Sequence, residues 1–284
     1  MVYNVKDHDI GDTIGMAFRL TWGSIKPYLK YVLILTLFMV LILGVIAGIL
    51  GLTVGFTQAG TFMMDAFDNA DEEYLTVLLI MGGFFLVLFP LFYFYLGLLH
   101  IMYTRRVSDL YLGIGNNASL KEDLAGGFGR LLPFLGASIL IGFGVMGGSL
   151  LLIVPGIIFS MAWGVYVEIL VLEGTTVMES LRRSWDLTRK NRLRILGAYM
   201  VTAVIYYMVY GVISLISLLP AMLGVAGQVI AFILNIIPSL LYQGVMINLS
   251  LVIYYNLRVQ KEGFAPGADQ LSREFSKPLE GPDA

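Results

Sequence analysis

The sequence contains no cysteine. That excludes a disulfide framework, a thiol nucleophile and a cysteine-ligated metal. Histidine is nearly as scarce. His8 and His100 are the only two and stand on different segments, which argues against histidine-based metallohydrolysis. Charge is the third scarcity, at 13% of residues against about 25% in an ordinary soluble domain. The formal net charge of -2 gives no bulk attraction for nucleic acid. No Ser/His/Asp arrangement and no phosphate-cradling glycine loop is present. No catalytic residue, cofactor or metal site is therefore expected.

What the chain has instead is apolar surface. Of its 284 residues 58% are hydrophobic, more than so few charges can cover in water and what a lipid solvent accommodates. Runs long enough to cross a hydrocarbon core of about 30 Å lie at about 30–54, 75–103, 131–153, 156–172, 193–219 and 228–257. The third and fourth are joined by Val154-Pro155-Gly156, where a missing amide donor and a permissive glycine predict a tight hairpin. The first 28 residues carry Asp7, Asp9, Asp12, Arg19 and Lys26, unlike a cleaved secretory signal, so the first apolar run is expected to stay in place.

Orientation follows from the basic residues, which collect on the cytoplasmic side of a membrane. All 18 lysines and arginines fall before the first run or at its starting edge, between the second and third, between the fourth and the first residues of the fifth, or after the sixth. Both termini are therefore expected in the cytoplasm. The opposite side receives the loop Gly55 to Tyr74, with Asp65, Asp68, Asp71, Glu72 and Glu73 and no base. Such a loop reads as a solvated acidic segment, and a weak divalent-cation site is the alternative. The tail over 264–284, rich in proline, glycine and charge, is expected to be a disordered cytoplasmic segment.

A repeat is written in the chain. Asp9, Ser119 and Thr176 are N-cap formers, followed three residues on by Asp12, Glu122 and Glu179, the signature of a capping box. After each cap, offsets 0, 4 and 8 read Ile10, Ile14, Phe18; then Leu120, Leu124, Phe128; then Val177, Leu181, Trp185. That spacing places an apolar stripe ending in an aromatic on one helix face. The fold class expected is thus an all-α integral membrane protein with six transmembrane helices. They form three units of parallel topology, about 9–108, 109–173 and 174–263, each a cytoplasmic amphipathic helix plus a transmembrane hairpin. In the third such helix Glu179 can pair with Arg183, and Arg182 with Asp186, at i,i+4. Arg182, Arg183, Trp185 and Arg189 are candidates for contact with lipid headgroups or with a protein partner, and the helix either lies in the interface or plugs the bundle.

Three polar residues interrupt the apolar runs. Glu168, His100 and Asn248 fall in the same leaflet by depth counting, where they could form one intramembrane polar site or act as glue between helices. Glycines four apart at Gly44 and Gly48, Gly51 and Gly55, and Gly144 and Gly148 predict close helix packing. Pro90 and Pro238 each interrupt a backbone hydrogen bond and could kink the second and sixth helices.

Several segments together resemble one family: LIVPG over 152–156, LEG over 172–174, ESLRRSWDLT over 179–188 and YNLRVQKEG over 255–263. It is the multispanning membrane domain found fused to some glycerophosphoryl diester phosphodiesterases, with its free-standing prokaryotic relatives. The resemblance implies six helices, a plasma membrane and a role near lipid or envelope metabolism. Lys190 stands where relatives often carry glycine, and Glu168 where many carry proline. The phosphodiesterase catalytic domain is absent, so its activity does not transfer. The function expected is that of a non-catalytic membrane scaffold or accessory protein that engages membrane lipids and no nucleic acid. A transporter or flippase for a lipid or small amphiphile is the alternative.

Overall fold

The computed structural model describes residues 9–54, 74–113 and 119–264. The acidic loop and the tail beyond Phe264 lie outside the described residues. Within them the chain is helical, and no strand occurs among the described residues. Five helices there are long and apolar enough to cross a membrane. Packing divides the chain into two bodies, Leu29–Leu99 and the remainder, which are taken in turn.

The smaller body holds most of α2 (Ile25–Val54) and the first two-thirds of α3 (Tyr74–Leu112). Thr36 and Tyr95 share a hydrogen bond of 3.4 Å between the two helices. Along α3, Phe92 and Tyr95 stack at 6.3 Å. Pro90 lies inside the continuous helix. A Cβ added at Gly44 would meet nothing within 4 Å among the described residues.

The larger body begins with α1 (Ile10–Gly23), which starts after Asp9 as the sequence predicts, although the Asp9 side chain makes no cap hydrogen bond. Its buried face is Thr13, Ile14, Ala17, Leu20 and Thr21, the i, i+3, i+4, i+7 pattern of a helix that packs. Phe18, the end of the predicted stripe, faces out. The second amphipathic segment is not a separate helix. It forms the first turns of α4 (Leu120–Leu151), which starts at a full Ser119–Glu122 capping box and runs through Pro133. A proline there removes one hydrogen bond without ending the helix.

The following hairpin turns at Leu152, whose backbone is extended (φ -162°, ψ 149°), and α5 (Ile153–Ala162) starts at once. The turn therefore precedes the predicted Val154-Pro155-Gly156 site, and Pro155 sits in the first turn of α5, where its missing amide costs no intrahelical bond. The expected packing role of Gly144 and Gly148 holds. A Cβ at Gly144 would fall 2.6 Å from the Trp163 ring, and one at Gly148 2.7 Å from Phe159 and 3.1 Å from the backbone of Gly156.

The run expected as one helix over 156–172 is broken. After Ala162 the chain turns through Trp163–Val165, resumes as α6 (Tyr166–Glu168) and continues in π-helical turns over Ile169–Glu173. Next come α7 (Val177–Thr188), α8 (Arg192–Ala221) and α9 (Val225–Glu262). Between α7 and α8 Lys190 adopts φ +79°, the one non-glycine residue with positive φ among the described residues. Helices α8 and α9 form a hairpin in which Asn235 donates to Ser217 at 2.8 Å and Tyr206 stacks on Tyr242 at 3.9 Å. Pro238 lies inside a continuous α9.

Burial is uneven along the helices. From Gly244 to Leu257 α9 is buried on nearly every side, as are Leu98–Tyr103 of α3 and Val167–Val171. At the opposite end Leu150, Leu151, Ile153, Leu219 and Leu223 are widely exposed. Apolar tips beside a polar-decorated core fit a chain whose outer ends are covered by lipid.

Candidate functional site

The break after Ala162 shapes the centre of the larger body. Interrupting a helix strips carbonyls of their amide partners, and such groups need replacements when water is excluded. The Ala162 carbonyl accepts from Ser184 Oγ at 2.9 Å and from Thr188 Oγ1 at 3.1 Å. The Gly164 carbonyl accepts from Ser250 Oγ at 3.1 Å, and the Tyr199 hydroxyl bonds Ser250 in turn. Thus α7 and α9 supply the bonds that the broken segment gives up.

One turn past the break lies Glu168, fully buried at 0% exposure. Neither carboxyl oxygen has a hydrogen-bond partner. His100 Nε2, also without one, stands 3.9 Å from Glu168 Oε1, and its ring lies 6.2 Å from that of Phe134. A charged side chain at such a position costs about 2.5–3.5 kcal/mol on insertion scales. Two of the three predicted polar residues are thereby brought together.

The third is elsewhere. Asn248 donates to Thr21 Oγ1 at 2.7 Å and to the Tyr103 hydroxyl at 3.0 Å. Tyr103 also bonds Ser24 at 2.7 Å. Two turns further on Asn256 donates to Thr13 Oγ1 at 3.0 Å. Asparagines eight apart on α9 meet threonines eight apart on α1, a polar seam that joins helices. Sequence reasoning singled out Asn248 and missed Thr13, Thr21 and Asn256, although their equal spacing is visible in the sequence.

The basic cluster divides as well. Arg183 pairs with Glu173 through Nε and with Glu262 through Nη2 at 2.9 Å, rather than with Glu179. Burial works against its charge, but the hydrogen bond and field of Glu173, with Glu262 behind, hold the guanidinium above its ordinary range. Tyr254 donates to Glu173 at 2.8 Å, and Arg258 bonds Glu262 at 3.0 Å. Trp185 packs on Phe159 and Trp163 with ring centroids 5.8 and 6.1 Å away, and Arg192 lies 4.1 Å above it. Arg182 and Arg189 face out. Beside them a groove of about 520 Å³, lined by Glu179, Arg182, Arg183, Asp186, Lys261 and Glu262 among others, carries charges of both signs.

On α1 the outward face is different in kind. Arg19, Trp22 and Lys26 stand at i, i+3 and i+7 and are all exposed, with Phe18 beside them. Ser24 N–H bonds the Leu20 carbonyl and Tyr28 N–H bonds that of Ser24, so the helical path continues across the α1–α2 junction and keeps the three on one side. Trp22 is 78% exposed.

The model of the family DUF7847, a domain of unknown function, matches residues 20–257. The chain belongs to that family. The DUF7847 match starts inside α1 and ends near the C-terminus of α9, so it holds the break, the Glu168–His100 pair and the Arg183–Glu173 pair, while Arg258 and Glu262 lie just beyond it. No curated protein and no solved structure matches the chain.

Proposed function

We propose that this protein is a non-catalytic integral membrane scaffold or accessory protein of the plasma membrane. Six helices cross the bilayer in three hairpin units, both termini lie in the cytoplasm, and the basic inner face engages anionic lipid headgroups. The observation that carries the reading is the outward face of α1, where the exposed Trp22 ring stands between Arg19 and Lys26. An amphipathic indole flanked by long cations suits the depth of the headgroups, with the aromatic in the interface and the bases at phosphate level. Arg182 and Arg189 add outward charge on α7, while Arg183 and Trp185 hold that helix against the bundle. The resemblance to membrane domains fused to glycerophosphoryl diester phosphodiesterases supports a place near lipid metabolism.

The test uses the full chain in nanodiscs with spin-labelled lipid, comparing phosphatidylglycerol with phosphatidylcholine in the first shell. A several-fold preference for the anionic lipid is expected, falling about fivefold for each base removed in Arg19→Gln and Lys26→Gln. Equal association of the two lipids would overturn the reading.

The alternative, a transporter or flippase, draws on one observation, the broken helix beside a buried acid. Proteoliposomes that move a fluorescent lipid between leaflets faster than protein-free vesicles would favour it over the scaffold.

A further inference from the structure

We propose that Glu168 and His100 form a proton-binding site, in which one proton is carried by either the carboxyl or the imidazole at the break in the fourth apolar run. The site is built from a fully buried carboxyl with two unpartnered oxygens and an imidazole nitrogen, also unpartnered, 3.9 Å away. Buried polar groups are normally satisfied, so a pair of orphans facing each other marks a place where a ligand belongs.

The ligand's size and chemistry are fixed by what surrounds it. Glu168 has no exposed surface, so only a very small species fits. A bound metal cation would need six or more oxygens, yet the two carbonyls at the break are committed to Ser184, Thr188 and Ser250. No group of three or more metal-ligating side chains occurs among the described residues. A fixed ion pair is a poor alternative, because at 3.9 Å it lacks the hydrogen bonds that repay desolvation. A proton on the carboxyl leaves both partners neutral, which removes the cost of burying charge without requiring a short contact. As the O–H bond of the carboxyl breaks, its electron pair stays on oxygen and the Nε2 lone pair takes the proton. A neutral acid and neutral ring become a carboxylate and an imidazolium, with the charge of the pair unchanged.

The neighbouring titratable groups are otherwise engaged. Tyr199 reaches towards Glu168 from α8 and is bonded to Ser250. Tyr166 of α6 shares a bond with Ser138, and Glu173 is held by Arg183 and Tyr254. Arg130 of α4 donates to the Gly174 carbonyl. His100 has 26% side-chain exposure and is the member through which the proton enters.

The experiment uses the full chain in nanodiscs at neutral pH, with His8→Ala leaving His100 as the single histidine. The ring nitrogens are read by ¹⁵N NMR and the Glu168 carboxyl by infrared difference against Glu168→Gln. Glu168→Gln is expected to change the protonation of the His100 ring. Reciprocally, His100→Gln is expected to change the fraction of Glu168 that carries a proton. If one variant fails to fold, the other is read alone. Ring nitrogens indifferent to Glu168, or a carboxyl band indifferent to His100, would overturn the proposal.

Discussion

Asn248 on α9 donates to Thr21 on α1 at 2.7 Å and, with its second amide hydrogen, to Tyr103 on α3 at 3.0 Å. One side chain thus ties three helices at the buried end of the larger body. Both acceptors keep other partners when it is lost, Thr21 through the Ala17 carbonyl and Tyr103 through Ser24. Asn248→Leu should therefore cost only about 1–2 kcal/mol, the worth of interhelical hydrogen bonds in a membrane. Asn256→Leu should behave alike, and the two losses should add, since eight residues separate the sites by about 12 Å. Unfolding of the full chain in detergent measures each.

The Ala162 carbonyl has two hydroxyl donors, Ser184 and Thr188. A carbonyl left with one donor is still satisfied, whereas one left with none bears its full desolvation cost. Ser184→Ala alone should cost about 0.5 kcal/mol or less, and adding Thr188→Val should raise the loss to about 1–3 kcal/mol. The double change exceeding the sum of the singles in thermal unfolding is the expected signature.

The contrast between these residues and the apolar runs shows what was legible in the sequence. Apolar length and capping residues act locally, so Asp9, Ser119 and Thr176 marked their helix starts correctly. The break at Trp163–Val165 was invisible because its stability comes from hydroxyls far along the chain. Pro90 and Pro238, each read as a possible kink, lie inside continuous helices. Depth counting put Glu168, His100 and Asn248 in one layer, but depth has no azimuth. Only the helix arrangement sends Asn248 to Thr21 and Glu168 to His100.

Arg183 and Arg182 are neighbours with opposite fates, the first paired with two carboxylates and the second facing out. Arg183→Met should cost about 1–3 kcal/mol by stranding Glu173, and Arg182→Met should stay within about 0.5 kcal/mol. Because Arg183 is held above its ordinary range in the fold, its contribution is complete below the unfolded guanidinium value and fades only as pH climbs past it. The stability difference between wild type and Arg183→Met should therefore stay constant from about pH 7 to about pH 10. A difference that shrinks over that window in denaturation curves would refute the pairing.

Gly147 and Gly148 are adjacent on α4 and face different surroundings. A Cβ at Gly147 meets nothing, while one at Gly148 would press on Phe159 and on the Gly156 backbone at 3.1 Å. The backbone contact cannot be relieved by a rotamer change, so Gly148→Ala should lose about 1–3 kcal/mol. Gly147→Ala should be neutral or stabilising by up to about 1 kcal/mol, because alanine favours the helix. Parallel unfolding of the two variants separates a packing role from helix propensity.

Lys190 holds φ +79° in the turn between α7 and α8, and Gly174 holds φ +70° in the turn before α7. A side chain in the left-handed region costs about 1–2 kcal/mol through its Cβ, and glycine gives back part of that through its freer unfolded chain. Lys190→Gly should therefore stabilise the protein by about 0.5–1 kcal/mol. Lys190→Val should do the reverse, since β-branched residues tolerate that region least. Gly174→Ala should destabilise for the same backbone reason, and also because its Cβ would come within 2.9 Å of the Arg130 guanidinium. Lys190 is exposed and has little packing to lose, so its two substitutions isolate backbone geometry. If Lys190→Gly and Lys190→Val shift thermal unfolding in the same direction, φ at this position does not govern the turn into α8.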